Sequence, residues 1–160
     1  MKKLCGLLVL IALSGCAVPS KTISMPPFPE AEYQSLKING TGAVSGQLFL
    51  KTVGGDVKYG AGETVSLIPA TTYSKVLYDA YEAGAQPGNP DPRIKQYSKA
   101  AQADGEGRFT FTNVAEGNYY VMGRVVWQAP SRLGMTPQGG YVIKKVSVKD
   151  GAESKVIITR

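Results

Sequence analysis

The sequence predicts a mainly β protein: an antiparallel β-sandwich of about seven strands with one short inserted helix. Apolar and polar residues alternate in several short segments, as in 44–50 and 108–112, and this period of two is typical of strands with one buried face. Turn-forming glycines, prolines and aspartates separate the segments at intervals of roughly 8–12 residues, as antiparallel sandwiches require. Only one segment, 74–83, has helical spacing instead.

The predicted strands follow one another as short segments along the chain. They are 44–50, 57–59, 65–69, 94–103, 109–112, 119–127, 142–149 and 154–159. Tyr119, Val125 and Trp127 fall on one face of a long strand, and Asp150 with Gly151 predicts a tight turn before the last strand. Residues 128–140 contain prolines and glycines, so we expect a long loop there.

The helical segment carries an apolar stripe. Leu77 has Tyr73 four residues before it and Tyr81 four residues after it, so the three share one helical face. We interpret this face as a cover for an open end of the sandwich. Ser74 is expected to cap the start and Gly84 to end the helix.

Two surfaces outside the predicted strands are candidate interfaces. Tyr78 lies off the apolar stripe of the helix and is expected to be exposed. Arg132, Leu133 and Met135 lie between two prolines in the predicted loop and are expected at its tip. Tyrosine, methionine and arginine are enriched in protein interfaces.

The first residues have the pattern of a secretory leader. Lys2 and Lys3 precede an apolar run at 4–13, which is about half the roughly 20 residues that span a bilayer. The sequence Leu-Ser-Gly-Cys that ends at Cys16 resembles the lipobox of bacterial lipoproteins. That resemblance implies removal of residues 1–15 and acylation of Cys16, which would hold the chain on a membrane.

Residues 16–40 are expected to form a lipidated tether, and residues 41–160 the sandwich. Four prolines in the tether segment favour extended backbone. Phe28, Tyr33 and the apolar residues after them either lie along the domain surface or begin a strand near 35–38.

The composition argues against most catalytic chemistry. The chain has no histidine and two cysteines, and of these Cys5 lies in the leader and Cys16 is expected to be acylated. Histidine-based general bases, disulfides and histidine zinc sites are therefore excluded. The carboxylates of Asp104 and Glu106 are expected in a solvated turn and not in a calcium site. We expect no enzymatic activity and no metal or cofactor.

The positive charge does not indicate a nucleic-acid partner. The formal net charge is +6, but the basic residues are spread along the chain and form no stripe or recognisable binding module.

Residues 104–121, from Asp104 through Gly107 and Phe109 to Tyr119, carry the pattern D-x-x-G-x-F-x-F-x-x-V-x-x-G-x-Y. This pattern resembles that of carboxypeptidase regulatory-like domains, which have a transthyretin-like, immunoglobulin-like sandwich. The resemblance implies this fold for residues 42–160. The turn residues would form a hairpin, and the Tyr119 hydroxyl would need a backbone acceptor, as in the tyrosine corner of related sandwiches.

These features together predict a non-enzymatic lipoprotein of the bacterial envelope, anchored at the outer membrane through Cys16. The leading expectation is that its sandwich docks or supports an envelope protein. Two alternatives remain open. One is a lipoprotein of a secretion apparatus of the type VI kind, and the other is a module that binds glycans or small ligands through its tyrosine cluster.

Anchoring is tested by Cys16→Ser, which removes the acylated thiol and is expected to release the protein from membranes. Fractionation of cells into soluble and membrane parts measures this, with Cys5→Ser as the control that keeps the anchor. Unchanged membrane association of the Cys16→Ser protein would contradict the anchoring hypothesis.

Overall fold

Alternating apolar residues fold this chain into two facing β-sheets, and one sheet carries a third, helical layer on its outer face. The computed structural model describes residues 22–132 and 134–160; the predicted leader, Cys16 and Leu133 lie outside the described residues. In chain order the elements are β1 (Thr22–Ile23), α1 (Glu30–Gln34), β2 (Gly42–Lys51), β3 (Val57–Tyr59), β4 (Thr64–Pro69), α2 (Thr72–Glu82), β5 (Gln86–Pro87), a 3₁₀ helix (Pro92–Tyr97), β6 (Lys99–Gln102), β7 (Arg108–Val114), β8 (Gly117–Ser131), β9 (Gly134–Val148) and β10 (Glu153–Ile158). The prediction of a mainly β chain is confirmed.

Two four-stranded sheets, the first and the second sheet, form the sandwich within the described residues. In the first sheet β2 is central: β10 pairs with it on one side, and β7 and β3 pair with successive parts of it on the other. The second sheet has the order β6-β4-β8-β9. Its neighbours are all antiparallel, whereas β10 runs parallel to β2.

The core lies between the sheets. The residues that alternate inward are buried and form one apolar cluster, which includes Val44, Leu48, Val65, Phe109, Phe111, Tyr119, Val121 and Val125. Burial of each large side chain contributes roughly 1.5–3 kcal/mol. The Tyr119 hydroxyl donates to the Ala115 carbonyl at 2.9 Å, which satisfies the buried oxygen in the way that the sequence predicted.

A tight turn lies at Asp104 as predicted, but it is not a hairpin, because it joins β6 of the second sheet to β7 of the first sheet. The Asp104 carboxylate accepts hydrogen bonds from the backbone N–H groups of Glu106 and Arg108, each at 2.8 Å. Gly107 has φ of 76°, and a Cβ there would lie 2.3 Å from the Leu48 carbonyl oxygen. The position therefore needs glycine for its backbone angle and for the close approach of β2.

Helix α2 begins slightly earlier than predicted. Thr71 is the N-cap, and its side chain accepts from the Ser74 backbone N–H while the Ser74 hydroxyl accepts from the Thr71 N–H. Ser74 was predicted as the cap but lies at the third helical position. In this arrangement Thr71 and Ser74 each accept a hydrogen bond from the other's backbone N–H, so two N–H groups are satisfied, whereas a single cap would satisfy one. Gly84, with φ of 65°, follows the helix as predicted.

The apolar stripe of α2 covers a sheet face and not an open end of the sandwich. Tyr73 and Leu77 are buried against Ile68, Tyr120 and other apolar residues on the outer face of the second sheet. The prediction of burial was right, but the surface that they cover was wrong. The outer residues of β4 and β8 are themselves apolar, so they need a cover.

The predicted strand 94–103 begins as a 3₁₀ helix. Pro92 opens this helix, and the Asp91 carboxylate caps it by accepting from the Arg93 N–H at 2.9 Å. Proline and an N-terminal aspartate favour a helical turn, so the strand is confined to β6.

The predicted loop 128–140 is instead the far half of a long hairpin made by β8 and β9. The register continues through Gln128 with Pro137 and Pro130 with Met135. Among the described residues, the part of β8 beyond Met122 pairs with β9 alone. A two-stranded ribbon has outward N–H positions that need no partner, so it tolerates prolines.

Residues 22–38, which we call the N-terminal strap, pack along the domain. Tyr33 is 0% exposed, its ring stacks on Phe28 at 4.4 Å, and its oxygen accepts from the Thr71 hydroxyl at 2.8 Å. Of the two alternatives predicted for these residues, the structure shows packing on the domain surface.

Arg93 holds the strap from the other side. Its guanidinium lies 4.5 Å from the centroid of the Phe28 ring and forms ion pairs with Glu30 at 3.2 Å and Asp91 at 2.8 Å. The hydrogen bonds that the Arg93 side chain and backbone N–H donate to the Asp91 carboxylate lower its pKa to about 2. Within the described residues, the helices are too short or too polar to cross a membrane.

Docking of the strap is tested at Tyr33. Tyr33→Ala is expected to lower the free energy of unfolding by about 3–5 kcal/mol, because it empties a buried aromatic site. Tyr33→Phe is expected to cost about 1 kcal/mol for the lost acceptor. Urea unfolding measures both, with Tyr141→Ala as the control at a ring that is 48% exposed. Equal effects of Tyr33→Ala and Tyr141→Ala would show that the strap is not docked.

Candidate functional site

The space between the sheets opens into a groove at one end of the sandwich, which we call the end groove. One wall is the far half of the β8–β9 hairpin, and the other is the turn between β2 and β3. The groove has a volume of about 520 Å³. Its lining residues are Thr52, Val53, Gly54, Asp56, Lys58, Trp127, Gln128, Ala129, Pro130, Ser131, Thr136 and Gln138.

Trp127 forms the floor of the end groove. It is half-buried and packs against the edge of the core, and it follows Val125 on the inner face of β8. Its ring lies over Gly139, where a Cβ would come within 2.8 Å of the indole and 2.1 Å of the Val125 carbonyl oxygen. Gly139 also has φ of 98°. This glycine therefore sets the position of the indole in the groove.

Polar side chains surround the indole. Lys58 pairs with buried Leu50 and so points toward the inside of the sandwich, and Asp56 lies in the adjoining turn. Neither the Lys58 ammonium nor the Asp56 carboxylate makes a hydrogen bond or ion pair with the rest of the described chain. Across the groove, the Gln138 amide donates to the Thr136 hydroxyl at 3.4 Å.

This arrangement suits a polyhydroxylated ligand. An aromatic face packs against the C–H groups of a flat ring, while a carboxylate accepts from hydroxyls and an ammonium donates to them. The amide of Gln138 is able to do both. The described residues contain no cluster of histidine, cysteine, aspartate or glutamate arranged to hold a metal ion.

Tyr78 is less exposed than the sequence predicted. Its ring stacks on Tyr120 with the centroids 4.7 Å apart, and the Lys145 ammonium lies 4.4 Å from the centroid of the Tyr78 ring. The side chain is half-buried, and burial raises the pKa of its hydroxyl. Most of the ring is therefore already in contact within the chain, which leaves little of it for a partner.

The predicted tyrosine platform is also divided. Tyr73 is buried beneath the strap, whereas Tyr81 lies 5.6 Å from Tyr141, measured between ring centroids. Tyr81 is half-buried and Tyr141 is 48% exposed, and Tyr141 was not singled out by the sequence.

Arg132 and Met135 lie at the tip of the β8–β9 hairpin, and both are exposed; Met135 is 62% exposed. Leu133 belongs to the same turn in sequence but lies outside the described residues. Tyr78 packs over Tyr120, which is separated from the tip by about 35 Å of extended strand. The structure therefore does not bring Tyr78 and the hairpin tip into one surface.

The end groove was not predicted as a site, although part of its signal was present. Alternation placed Trp127 on the inner face of a strand, but a loop was predicted directly after it. Once β8 and β9 continue past the sandwich, the inner-face positions of Trp127 and Gln138 lie opposite Lys58. Gly139 beside a tryptophan was the remaining signal, since glycine in a strand marks a close approach.

One solved structure is similar over nearly its whole length. It is the crystal structure of a "putative carbohydrate binding protein" from Pseudomonas aeruginosa, with 35% sequence identity and a TM-score of 0.76. The match covers 85% of this chain and 99% of that one. Neither a family model nor a curated protein matches the chain. At this identity and coverage, the chain belongs to the same family as the Pseudomonas aeruginosa protein.

The role of Gly139 is tested through tryptophan fluorescence, because the chain has one tryptophan. Gly139→Ala is expected to displace the Trp127 ring and to shift its emission toward that of exposed indole. Gly134→Ala is the matched control, since Gly134 also has a positive φ, of 111°, but a Cβ there meets nothing within 4 Å. Identical spectra for the two variants would contradict the proposed contact.

Proposed function

We propose that this chain is a non-enzymatic binding module of the bacterial envelope, anchored by lipid at Cys16, that holds carbohydrate in its end groove. The observation that carries the proposal is its family relationship to the Pseudomonas aeruginosa protein, which extends over 99% of that chain. The chemistry of the groove agrees with such a ligand, and the absence of histidine in the sequence agrees with binding in place of catalysis.

Each groove residue has a role in this proposal. The exposed part of the Trp127 ring packs against one face of a sugar. Asp56 and Lys58, which make no hydrogen bond or ion pair among the described residues, bind hydroxyl groups on one side of it. The Gln138 amide contacts the opposite side.

A transthyretin-like sandwich of the carboxypeptidase regulatory-like type is the proposed scaffold. The Asp104 turn and the hydrogen bond from the Tyr119 hydroxyl to the Ala115 carbonyl support it.

The N-terminal strap limits how far the domain can lie from the proposed lipid anchor. Since Thr22 pairs with Gln86 on the domain, the extended chain from Cys16 to Thr22 spans at most about 20 Å. The domain would therefore lie close to the outer membrane.

Protein docking is a second candidate, and the exposure of Met135 at the hairpin tip favours it. The tip extends beyond the sandwich, where a partner would meet Arg132 and Met135 without contacting the core. Tyr78 is a weaker choice, because Tyr120 and Lys145 already cover its ring.

Trp127→Ala tests the proposed function. Affinity electrophoresis in gels that contain dextran, soluble starch or alginate is expected to show retardation of the wild-type protein by at least one of them. Loss of the indole is expected to weaken that retardation roughly tenfold, which corresponds to about 1.4 kcal/mol. Tyr59→Ala is the matched control, since it removes an aromatic residue that is 46% exposed on the first sheet.

Full retention by the Trp127→Ala protein would contradict the end groove as the site. The absence of retardation with every polysaccharide, in wild type and variants alike, would contradict carbohydrate binding itself for these glycan classes. Retention by carbohydrate that is lost in Tyr59→Ala would place the site on the first sheet.

A further inference from the structure

A second cavity lies on the other side of the second sheet, and the proposed function does not use it. Its floor is the outer face of β4 and β8, one wall is α2, and its roof is the loop and 3₁₀ helix that follow β5. We call it the outer-face cavity. Its volume is about 440 Å³, within the range of roughly 300–1,000 Å³ that is usual for small-molecule sites. The lining residues are Ser66, Ile68, Leu77, Asn89, Pro90, Asp91, Pro92, Ile94, Lys95, Ser98 and Met122.

Apolar side chains form most of the cavity surface. Three of them are buried residues of the second apolar cluster, namely Ile68, Leu77 and Ile94. Met122, which is partly buried, packs against the same cluster and also lines the cavity. Ser66 pairs with Met122 of β8 on one side and with Ala100 of β6 on the other, so two small side chains lie side by side on this part of the face. Ser66 lines the floor of the cavity, so a large side chain at this position would fill part of it.

The roof is held in place by contacts that do not need a ligand. The Asp91 backbone N–H donates to the Tyr73 oxygen at 2.7 Å, and Pro90 and Pro92 restrict the backbone on either side. The Asp91 carboxylate is bound by Arg93, which also pairs with Glu30 of the strap. A cavity with walls fixed in this way loses little conformational entropy when a ligand enters.

Three polar groups at the cavity make no hydrogen bond or ion pair with other described residues: the Lys95 ammonium, the Asn89 amide and the Ser66 hydroxyl. The ammonium is a donor only, and the other two are able to donate. The one carboxylate in the lining, of Asp91, is already compensated by Arg93. The cavity therefore combines apolar walls with donors that lack an acceptor.

We propose that the outer-face cavity binds a small amphiphile, with its aliphatic body against Ile68, Leu77 and Met122 and its carboxylate near Lys95. Two elements that build the cavity are α2, which the sequence predicted as an insertion between strands, and the loop that follows it. Their role on this account is to form a ligand site, separate from the end groove and independent of carbohydrate binding.

Calorimetric titration with dodecanoate, below its micelle concentration, tests the proposal on the full domain. Wild type is expected to bind with one site. Ser66→Phe, which fills the floor, is expected to weaken binding at least tenfold. Thr64→Phe is the matched control, because Thr64 lies on the same face of β4 but does not line the cavity. Lys95→Gln is expected to weaken the binding of dodecanoate about two- to fivefold and to leave the binding of neutral dodecanol unchanged. Lys155→Gln is expected to change the affinity for neither ligand.

Amide chemical shifts of wild type, recorded with and without dodecanoate, locate the site without any substitution. Shifts confined to the cavity residues support the proposal. Absence of binding at millimolar dodecanoate, shifts elsewhere on the surface, or equal binding by a folded Ser66→Phe protein would each overturn it. Polysaccharide retention by the Ser66→Phe protein is expected to equal that of wild type, so failure here is distinguishable from failure of the proposed function.

Discussion

The burial of the second sheet on both faces is the constraint on which the rest of the structure depends. Its inner residues, such as Val121, join the sandwich core, and its outer residues, such as Tyr120, form a second apolar cluster. An apolar outer face exposed to water would be unfavourable by roughly 25 cal/mol per Å². Helix α2, the 3₁₀ helix and the N-terminal strap cover that face, and their incomplete fit around Ser66 leaves the outer-face cavity.

The hairpin of β8 and β9 produces the other site by a different route. The two strands are 15 residues each, whereas β4 pairs with β8 only from Tyr119 to Met122. The ribbon therefore continues past the sheet that supports it. The ribbon faces the turn between β2 and β3. Its last inner-face residues therefore line the end groove and do not belong to the closed core. The indole of Trp127 belongs to the core and to the end groove, since one edge of the ring packs on the core and the rest of the ring is open to the groove.

The sequence was sufficient for the elements whose signal is local. Alternation located most strands, Asp104 and Gly107 identified a tight turn, and the spacing of Tyr73 and Leu77 identified α2. Features that depend on tertiary contacts were not predicted. Prolines at 130 and 137 suggested a loop because proline is rare in paired strands. Local sequence does not show that these strands form a ribbon with unpaired outer edges, where proline is tolerated. The sequence also left open the course of residues near Tyr33, whose burial depends on Thr71, 38 residues away. Neither candidate site was predicted, because each is formed between two layers by residues that are distant in the sequence.

The central claim is that carbohydrate binds where the single tryptophan of the chain lies. The most direct measurement is the fluorescence of Trp127 during titration with an oligosaccharide of the polysaccharide that retains the protein. The account predicts a saturable change in emission whose midpoint equals the dissociation constant measured by calorimetry. Calorimetric binding with unchanged tryptophan emission would contradict it, because the ligand would then occupy another surface.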